Sequence, residues 1–352
     1  MLFLDKNQIS LWDSLFTTIQ NKNIAPLEVI QKVQPNLQPA FCFYVGSRFA
    51  ATDNIEKAKV WLNYGKEVEV LPTNSYFLDF IERYKNKLAI PQPAFEDPRP
   101  FVHFSNVTEI KTARDNFISN CVNSLPNFKK PTKIIDIGCG SGSLVTDLIN
   151  KLMKSGKVLS VEEIALVEPS TKMLALASKN LSDIFPKAKI TTICNKVEDI
   201  SDKLNSHYDI SLNALSLHHL PFEKKAVHLK NLSKHIDHFL LFELNANHDA
   251  PELFSPELAL SIYHSFGSAI KFVLSYGVSK EVAQKSVDYF LMTEAVSLLT
   301  QERGKRSDYH MLQSQWHDLF KKSLPKGFAC LSELSCYSDQ DMEFIFIHYG
   351  RK

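Results

Sequence analysis

Ten residues, KIIDIGCGSG from Lys133 to Gly142, constrain the fold of this chain more than any other stretch. An apolar run is interrupted by Asp136, and glycines then occupy alternate positions at Gly138, Gly140 and Gly142. Glycine allows a sharp turn and lets a ligand approach the main chain closely. In parallel sheets, ligands bind at the carboxyl ends of the strands. The stretch therefore predicts a strand, a binding turn and a helix in succession.

Apolar runs and helical stripes alternate around this motif. Strands are predicted at residues 133–138, 164–168, 189–194, 208–213 and 238–244, and helices at 109–124, 143–154, 171–181 and 226–235. Such alternation is typical of a parallel sheet with helices on both faces. Two last strands, 329–337 and 342–350, are joined by a polar turn. The predicted fold class is α/β: a Rossmann-like, seven-stranded, mostly parallel sheet with a C-terminal antiparallel hairpin.

The regions outside the sheet are predicted to be mainly helical. Helical stretches at 257–266, 280–299 and 311–322 form an insertion over about residues 245–328. Near the N-terminus, apolar stripes predict helices at 11–19, 55–62 and 76–84, with Asp53 as a cap, and FCFYV (41–45) and VEVL (68–71) are predicted as short strands. Four prolines in PQPAFEDPRP (91–100) predict a stiff connector. We therefore expect an N-terminal region, 1–100, that serves as a lid or docks a partner, and a binding domain, 101–352.

Composition narrows the class of protein. The chain has 352 residues, a net charge of +1 and 44% hydrophobic residues, which suffice for a large core. The neutral charge disfavours binding to nucleic acid through bulk electrostatics. No apolar run approaches the roughly 18 residues that span a bilayer, so no membrane contact and a cytoplasmic location are predicted. Six cysteines without a CxxC pair predict neither disulfides nor zinc, and no metal site is predicted.

The spacing of the glycines distinguishes between the classes of ligand that such a turn could bind. A dinucleotide fingerprint reads GxGxxG, whereas this motif reads GxGxG, and the GK[ST] ending of a phosphate-binding P-loop is absent. An acid at Asp136, two residues before the first glycine, would repel a pyrophosphate. It suits a cationic ligand, such as an amino group near a sulfonium.

The stretch IDIGCGSG resembles the first motif of class I S-adenosylmethionine-dependent methyltransferases, and the resemblance extends over about residues 133–352. It implies S-adenosylmethionine as the cofactor. In ALVEPS, Glu168 stands where the family binds the ribose hydroxyls, while NKVEDIS (195–201) stands where it brackets the adenine. Lys196 lacks the acceptor that often meets the adenine amino group there. The implied cofactor-binding residues are Asp136, Gly138, Cys139, Gly140, Gly142, Glu168, Pro169, Val197, Glu198 and Asn213.

Candidate catalytic residues follow the fourth and fifth strands. The motif LHHL is frequent in relatives that act on small molecules, so His218 or His219 is a candidate base, although either histidine also suits a packing role. In FELN, Glu243 suits a base, a holder of a substrate amine, or a structural acid at the strand end. The motifs DPPY and NPPY and a Pro-Cys pair are absent after the fourth strand, which disfavours methylation of adenine or glutamine amines and of cytosine carbon.

These residues predict in-line methyl transfer to a small-molecule acceptor. Aromatic residues of the insertion are expected mostly in the core, with a subset lining the acceptor pocket. In ERGKRSDYH, Ser307 or Asp308 is predicted to cap the following helix, and Arg303, Arg306, Tyr309 and His310 either bind an acidic substrate group or face water. Two alternatives stay open: methylation of a protein or RNA partner that the N-terminal region recognises, and an inactive cofactor-binding partner protein.

Overall fold

The sheet has the predicted architecture. The structure, a computed structural model, describes residues 3–90, 98–200 and 204–351. Its strands are β1 (Thr132–Ile137), β2 (Val161–Val167), β3 (Lys189–Ile193), β4 (Tyr208–Ala214), β5 (Ile236–Leu244), β6 (Phe328–Ser338) and β7 (Glu343–Arg351). They lie in the order β3-β2-β1-β4-β5-β7-β6. The first five strands are parallel, and β7 is antiparallel to both β5 and β6. The predicted Rossmann-like sheet and its terminal hairpin are confirmed.

The helices surround this sheet and cover its carboxyl ends. They are α1 (Lys6–Lys22), α2 (Pro26–Val29), α3 (Gln38–Ala51), α4 (Ile55–Val68), α5 (Thr73–Arg83), α6 (Pro98–Asn106), α7 (Thr108–Ser124), α8 (Ser143–Lys154), α9 (Thr171–Ile184), α10 (Phe222–Leu232), α11 (Pro256–Ser275), α12 (Lys280–Ser286), α13 (Met292–Thr300) and α14 (Gln313–Ser323). A π-helical turn, Val287–Leu291, connects α12 to α13. Side-chain caps start several helices, among them Asp5 at α1 and Ser255 at α11.

Alternate residues of the strands enter two cores on opposite faces of the sheet. Ile134 of β1 packs with the N-terminal helices and the insertion. Ile135 and Ile137 pack on the other face, where Trp316 of α14 fills the space beside α10. This alternation is the consequence of the two-residue period of a strand. The sheet is therefore buried on both faces, and its ligand-binding edge is the row of carboxyl ends.

The N-terminal helices and the insertion pack against each other. Phe43 of α3 makes an edge contact with Phe77 of α5, at 4.8 Å between ring centroids, and lies 6.1 Å from Tyr263 of α11. The hydroxyl of Thr73 donates to the Tyr263 carbonyl at 2.9 Å. Among the described helices, α11 alone is long and apolar enough to cross a membrane, but 78% of its apolar window is buried inside the protein. This helix is accordingly the shared core element of both regions.

Several local predictions for the N-terminal region are wrong. FCFYV lies inside α3, and VEVL covers the end of α4 and the turn after it. Asp53 does not cap α4: the capping position is Asn54, and Asp53 has a left-handed backbone with φ of 59°. The end of the proline-rich stretch is helical from Pro98, while residues 91–97 lie outside the described part of the chain. The domain boundary near residue 100 stays a prediction.

Candidate functional site

The glycines of the first motif shape the turn between β1 and α8. Gly138 and Gly142 have φ of +73° and +75°, a backbone conformation that side chains disfavour. A Cβ at Gly138 would lie 2.4 Å from the Cβ of Ser216 after β4, and one at Gly142 would lie 3.0 Å from the Cβ of Ala177 in α9. Both positions therefore need glycine because the turn is pressed against neighbouring elements.

Two acids line the same side of a cavity above this turn. Asp136 is buried, and its burial together with the nearby Glu168 carboxylate raises its pKa to about 8. Glu168 follows β2, accepts hydrogen bonds from the backbone N–H of Gly140 at 3.1 Å and of Ser170 at 2.9 Å, and has its pKa raised by burial. Two close carboxyl groups in a buried site favour a ligand that brings positive charge and hydroxyl donors.

Arg114 is a basic residue of the same cavity that the sequence did not reveal. It extends from α7, lines the cavity, and donates to the Ser143 hydroxyl at 2.7 Å. Burial lowers its pKa, while Asp147, Asp115 and Asp136 oppose that change. Arg114 lies before the glycine motif on a helix with no pattern of its own, so only the fold brings it to the site.

The predicted adenine end is assembled from the segment after β3. Val197 and Glu198 line the cavity with their neighbours Asn195 and Lys196, and Pro169 lies beside them after β2. A 3₁₀ turn over Val197–Asp199 sets this edge of the cavity. The last residue of the NKVEDIS stretch, at position 201, lies outside the described residues. The roles of Val197 and Glu198 stay predictions, but their position agrees with them.

Some predicted site residues do not face the cavity. Asn213 is fully buried, and its amide donates to the Ser211 hydroxyl at 2.9 Å. The cavity there is lined by Ala214, Leu215 and Ser216, so the border that was predicted for Asn213 belongs to the residues after it. Gly142 also lies outside the lining and starts α8 instead. By contrast, Gly138, Cys139 and Gly140 all line the cavity.

Glu243, a predicted catalytic residue, organises the loop after β4 from behind. Its Oε1 accepts from the backbone N–H of Ser216 and Leu217, both at 3.0 Å, and its Oε2 lies 2.8 Å from Nδ1 of His218. Complete burial opposes ionisation, but the interaction with His218 prevails and lowers the pKa of Glu243. Glu243 does not line the cavity, and its contacts agree with the structural acid at the strand end that the sequence also allowed; its catalytic role stays a prediction.

His218 and His219 form one end of the cavity together with residues of the insertion. Nε2 of His218 lies 3.8 Å from Oδ1 of Asp308, and Nδ1 of His219 lies 3.0 Å from the same oxygen. The ring of His310 stacks on that of His218 at 4.1 Å. Desolvation opposes charge on the half-exposed His219 ring, yet Asp308 raises its pKa to about 9. Burial and then Asp308 raise the pKa of Glu294, which lines the same end.

Of the residues predicted either to bind an acidic group or to face water, Arg306, Tyr309 and His310 are buried. Arg303 donates to the Asp249 carbonyl at 2.7 Å, and Arg306 donates to the His248 carbonyl at 3.0 Å. Arg306, Tyr309 and His310 line the cavity, and the Tyr309 N–H donates to the His218 carbonyl at 2.6 Å. Neither Ser307 nor Asp308 caps α14, because the capping position of that helix is Leu312.

Apolar side chains form the remaining wall. Among the aromatic residues of the insertion, Phe266, Tyr289 and Phe290 line the cavity, and the last two belong to the π-helical turn. Such turns are frequent at functional sites. Asp288 in this turn accepts hydrogen bonds from Tyr76 at 2.8 Å and from Arg83 at 3.0 Å. The N-terminal helix α5 therefore anchors a wall of the cavity, although none of the described residues 3–90 lines it.

Comparisons with known proteins agree with this fold. Residues 134–238, about a third of the chain, match the family model of a methyltransferase domain. The structure of SCL7 from Oryza sativa is similar to 88% of this chain and covers 98% of its own, with 14% identity and a TM-score of 0.62. No curated protein sequence matches the chain.

Two solved methyltransferases show weaker likeness. Magnesium protoporphyrin IX methyltransferase from Synechocystis PCC 6803, with bound S-adenosylmethionine, is 12% identical over 72% of this chain and 91% of its own, with a TM-score of 0.41. The plantazolicin methyltransferase BpumL, in complex with S-adenosylhomocysteine, is 15% identical over 79% of this chain and 100% of its own, with a TM-score of 0.44.

The methyltransferase domain and the site at the carboxyl ends of β1, β2 and β4 define the class of protein. The resemblance carried by IDIGCGSG is confirmed over residues 134–238, which match a methyltransferase domain, and the sheet around them has the Rossmann-like fold of class I S-adenosylmethionine-dependent methyltransferases. Its cofactor is S-adenosylmethionine.

Proposed function

We propose that this methyltransferase acts on a small molecule that occupies the cavity between the sheet and the helical insertion. A single cavity of about 630 Å³ runs from the acids of the glycine motif to the histidines of the β4 loop. Its walls come from α6, α7, the π-helical turn and the segment 303–310. This volume lies in the range of small-ligand pockets. The enclosure by helices carries the proposal, because a folded macromolecule would have to displace them.

The residues at the sheet end suit each part of the cofactor. Asp136 offers a carboxylate to its amino group, and Arg114 offers a guanidinium to its carboxylate. Glu168 keeps free lone pairs for the ribose hydroxyls, since each of its oxygens accepts a single backbone hydrogen bond among the described residues. The Lys196 to Glu198 segment borders the adenine. When bound, the cofactor supplies an activated methyl group on a positively charged sulfur.

The acceptor is proposed to have an apolar body and one polar group. Its body contacts Phe266, Tyr289 and Phe290, and its polar group points toward His218 and Asp308 at the opposite wall. Fixing the acceptor in this orientation is the main contribution of the protein, because good orientation alone supplies roughly 7–11 kcal/mol. A cytoplasmic location belongs to the same proposal, and cell fractionation tests it.

The first experiment is calorimetric titration with S-adenosylmethionine and S-adenosylhomocysteine, followed by a screen of small metabolites in which release of S-adenosylhomocysteine reports turnover. Both cofactor forms are expected to bind with micromolar affinity, and small apolar acceptors are expected to support turnover. Phe290→Ala should raise the acceptor KM without changing cofactor affinity, and the exposed Glu162→Ala serves as the matched control. Turnover with protein or RNA but with none of the small molecules would contradict the proposal.

A further inference from the structure

Three side chains at the acceptor end of the cavity stand at the spacing of metal ligands. One nitrogen from His218, one from His219 and one oxygen of Asp308 lie within 4.8 Å of one another. The two measured separations from Oδ1 of Asp308 are 3.8 Å to His218 and 3.0 Å to His219. Nitrogen and oxygen ligands about 2.0–2.1 Å from a tetrahedral ion stand about 3.3 Å apart. The two separations lie within about 0.5 Å of that spacing, and Nδ1 of His219 also lies 3.2 Å from the Ser307 carbonyl oxygen.

The cluster is supported from behind in the manner of a metal centre. Nδ1 of His218 points to the carboxylate of Glu243 at 2.8 Å, which leaves Nε2 as the free nitrogen on the cavity side. Histidines that bind metals usually donate their other N–H to such a carboxylate or carbonyl. Oδ1 of Asp308 is buried and lies 3.0 Å from Nδ1 of His219. A buried carboxylate oxygen in this state favours a cation.

The charge balance at this end also calls for a cation. Asp308 and Glu294 both line it, whereas the neighbouring basic groups are engaged elsewhere. Arg306 donates to the backbone carbonyls of His248 and Pro251, and the ammonium of Lys225 donates to that of Tyr309. Among the described residues that line this end, His219 and Lys224 are the remaining candidates for positive charge. A divalent ion would compensate the buried Asp308 carboxylate, as a buried charge requires.

We propose that His218, His219 and Asp308 bind a divalent transition-metal ion that activates the methyl acceptor. This proposal rests on the proposed function and departs from the sequence, which predicted no metal site. Two imidazoles and one carboxylate suit zinc or iron(II) and leave positions open toward the cavity. An acceptor hydroxyl at such a position has its pKa lowered. The O–H bond then breaks, the proton leaves to solvent, and the oxygen keeps the electron pair, which attacks the methyl carbon as the bond from that carbon to the cofactor sulfur breaks.

The test uses the full-length protein after treatment with a chelator. Calorimetric titration with Zn²⁺ alone is expected to show one site in the natural protein. Asp308→Asn and His219→Ala should each weaken Zn²⁺ binding at least about tenfold. The control is His317→Ala, because His317, Cys330 and Glu333 form a second, more exposed ligand group. With Co²⁺ as a second probe, the visible absorption of an ordered site should appear in the natural protein and in His317→Ala only.

Two results would overturn the proposal: no Zn²⁺ site in the natural protein, or a site that His317→Ala removes and Asp308→Asn leaves intact. Titration with S-adenosylhomocysteine runs in parallel and is expected to be unchanged in every variant. That measurement shows that the variants are folded, and it separates failure of the metal site from failure of the proposed function. If Asp308→Asn does not fold, His219→Ala still tests the site, because the His219 side chain is half exposed and its removal should disturb the fold less.

Discussion

Replacing Asp136 by asparagine is expected to remove a loss of stability at high pH. Burial and the Glu168 carboxylate raise the pKa of Asp136 from 3.8 to about 8. A raised pKa means that the folded protein holds the proton more tightly than the unfolded chain, so the stabilisation is complete below about pH 4 and is lost as the pH rises to about 8. One pKa unit corresponds to about 1.4 kcal/mol, so the loss between pH 6 and pH 9 is about 3 kcal/mol.

The assay is thermal unfolding of the cofactor-free protein at pH 6 and pH 9. For a chain of 352 residues, the entropy of unfolding is about 0.7 kcal/mol/K, so the Tm of the natural protein should fall about 4 °C more than that of Asp136→Asn. Asp183→Asn on the exposed end of α9 is the control and should follow the natural protein. Equal pH dependence in Asp136→Asn and the natural protein would refute the reasoning, because Asp136 would then already be ionised at pH 6.

Three further changes test the site. Glu168→Gln keeps the size of the side chain but removes a charged hydrogen-bond acceptor, so calorimetry should show cofactor binding weakened roughly 10- to 100-fold. Unchanged affinity would show that Glu168 does not bind the cofactor. Gly138→Ala brings a Cβ against Ser216 at a positive φ, so cofactor binding should be lost together with at least about 1–2 kcal/mol of stability in denaturant unfolding; a neutral effect would contradict the described turn. Glu243→Gln loosens the hold on His218, so kcat should fall while cofactor affinity persists; loss of cofactor affinity instead would place Glu243 in a different role.

The sheet was predictable because its signals are local. Parallel strands that are buried on both faces appear in the sequence as apolar runs. The glycine turn marks the end of β1, and the later strands and helices can be assigned in alternating order from that point. FCFYV was misassigned because Phe41 to Val45 are buried on every side of α3, and a short apolar run does not distinguish a fully buried helix from a strand. The run also shows no periodic pattern of its own that would have identified it as part of a helix.

The residues of the candidate site likewise fall into those that local sequence patterns predict and those that they do not. Asp136 lies near the end of β1, and Glu168 and the histidines follow the ends of β2 and β4, so their positions were implied by the fold class. Asp308 meets His218 across about ninety residues of sequence, and no local pattern links them. Their meeting depends on the path of the insertion, which is set by long-range packing such as the Tyr309 bond to the His218 carbonyl.

Because α5 anchors Asp288, residues outside the cavity can influence which substrate this enzyme accepts. Tyr76 and Arg83 do not line the cavity, yet they hold the π-helical turn from which Tyr289 and Phe290 line it. Substitutions on α5 would therefore retune acceptor selectivity while leaving every residue in the cavity unchanged. The N-terminal region thus offers evolution, and directed evolution, a remote route to new substrates that leaves the cofactor machinery intact.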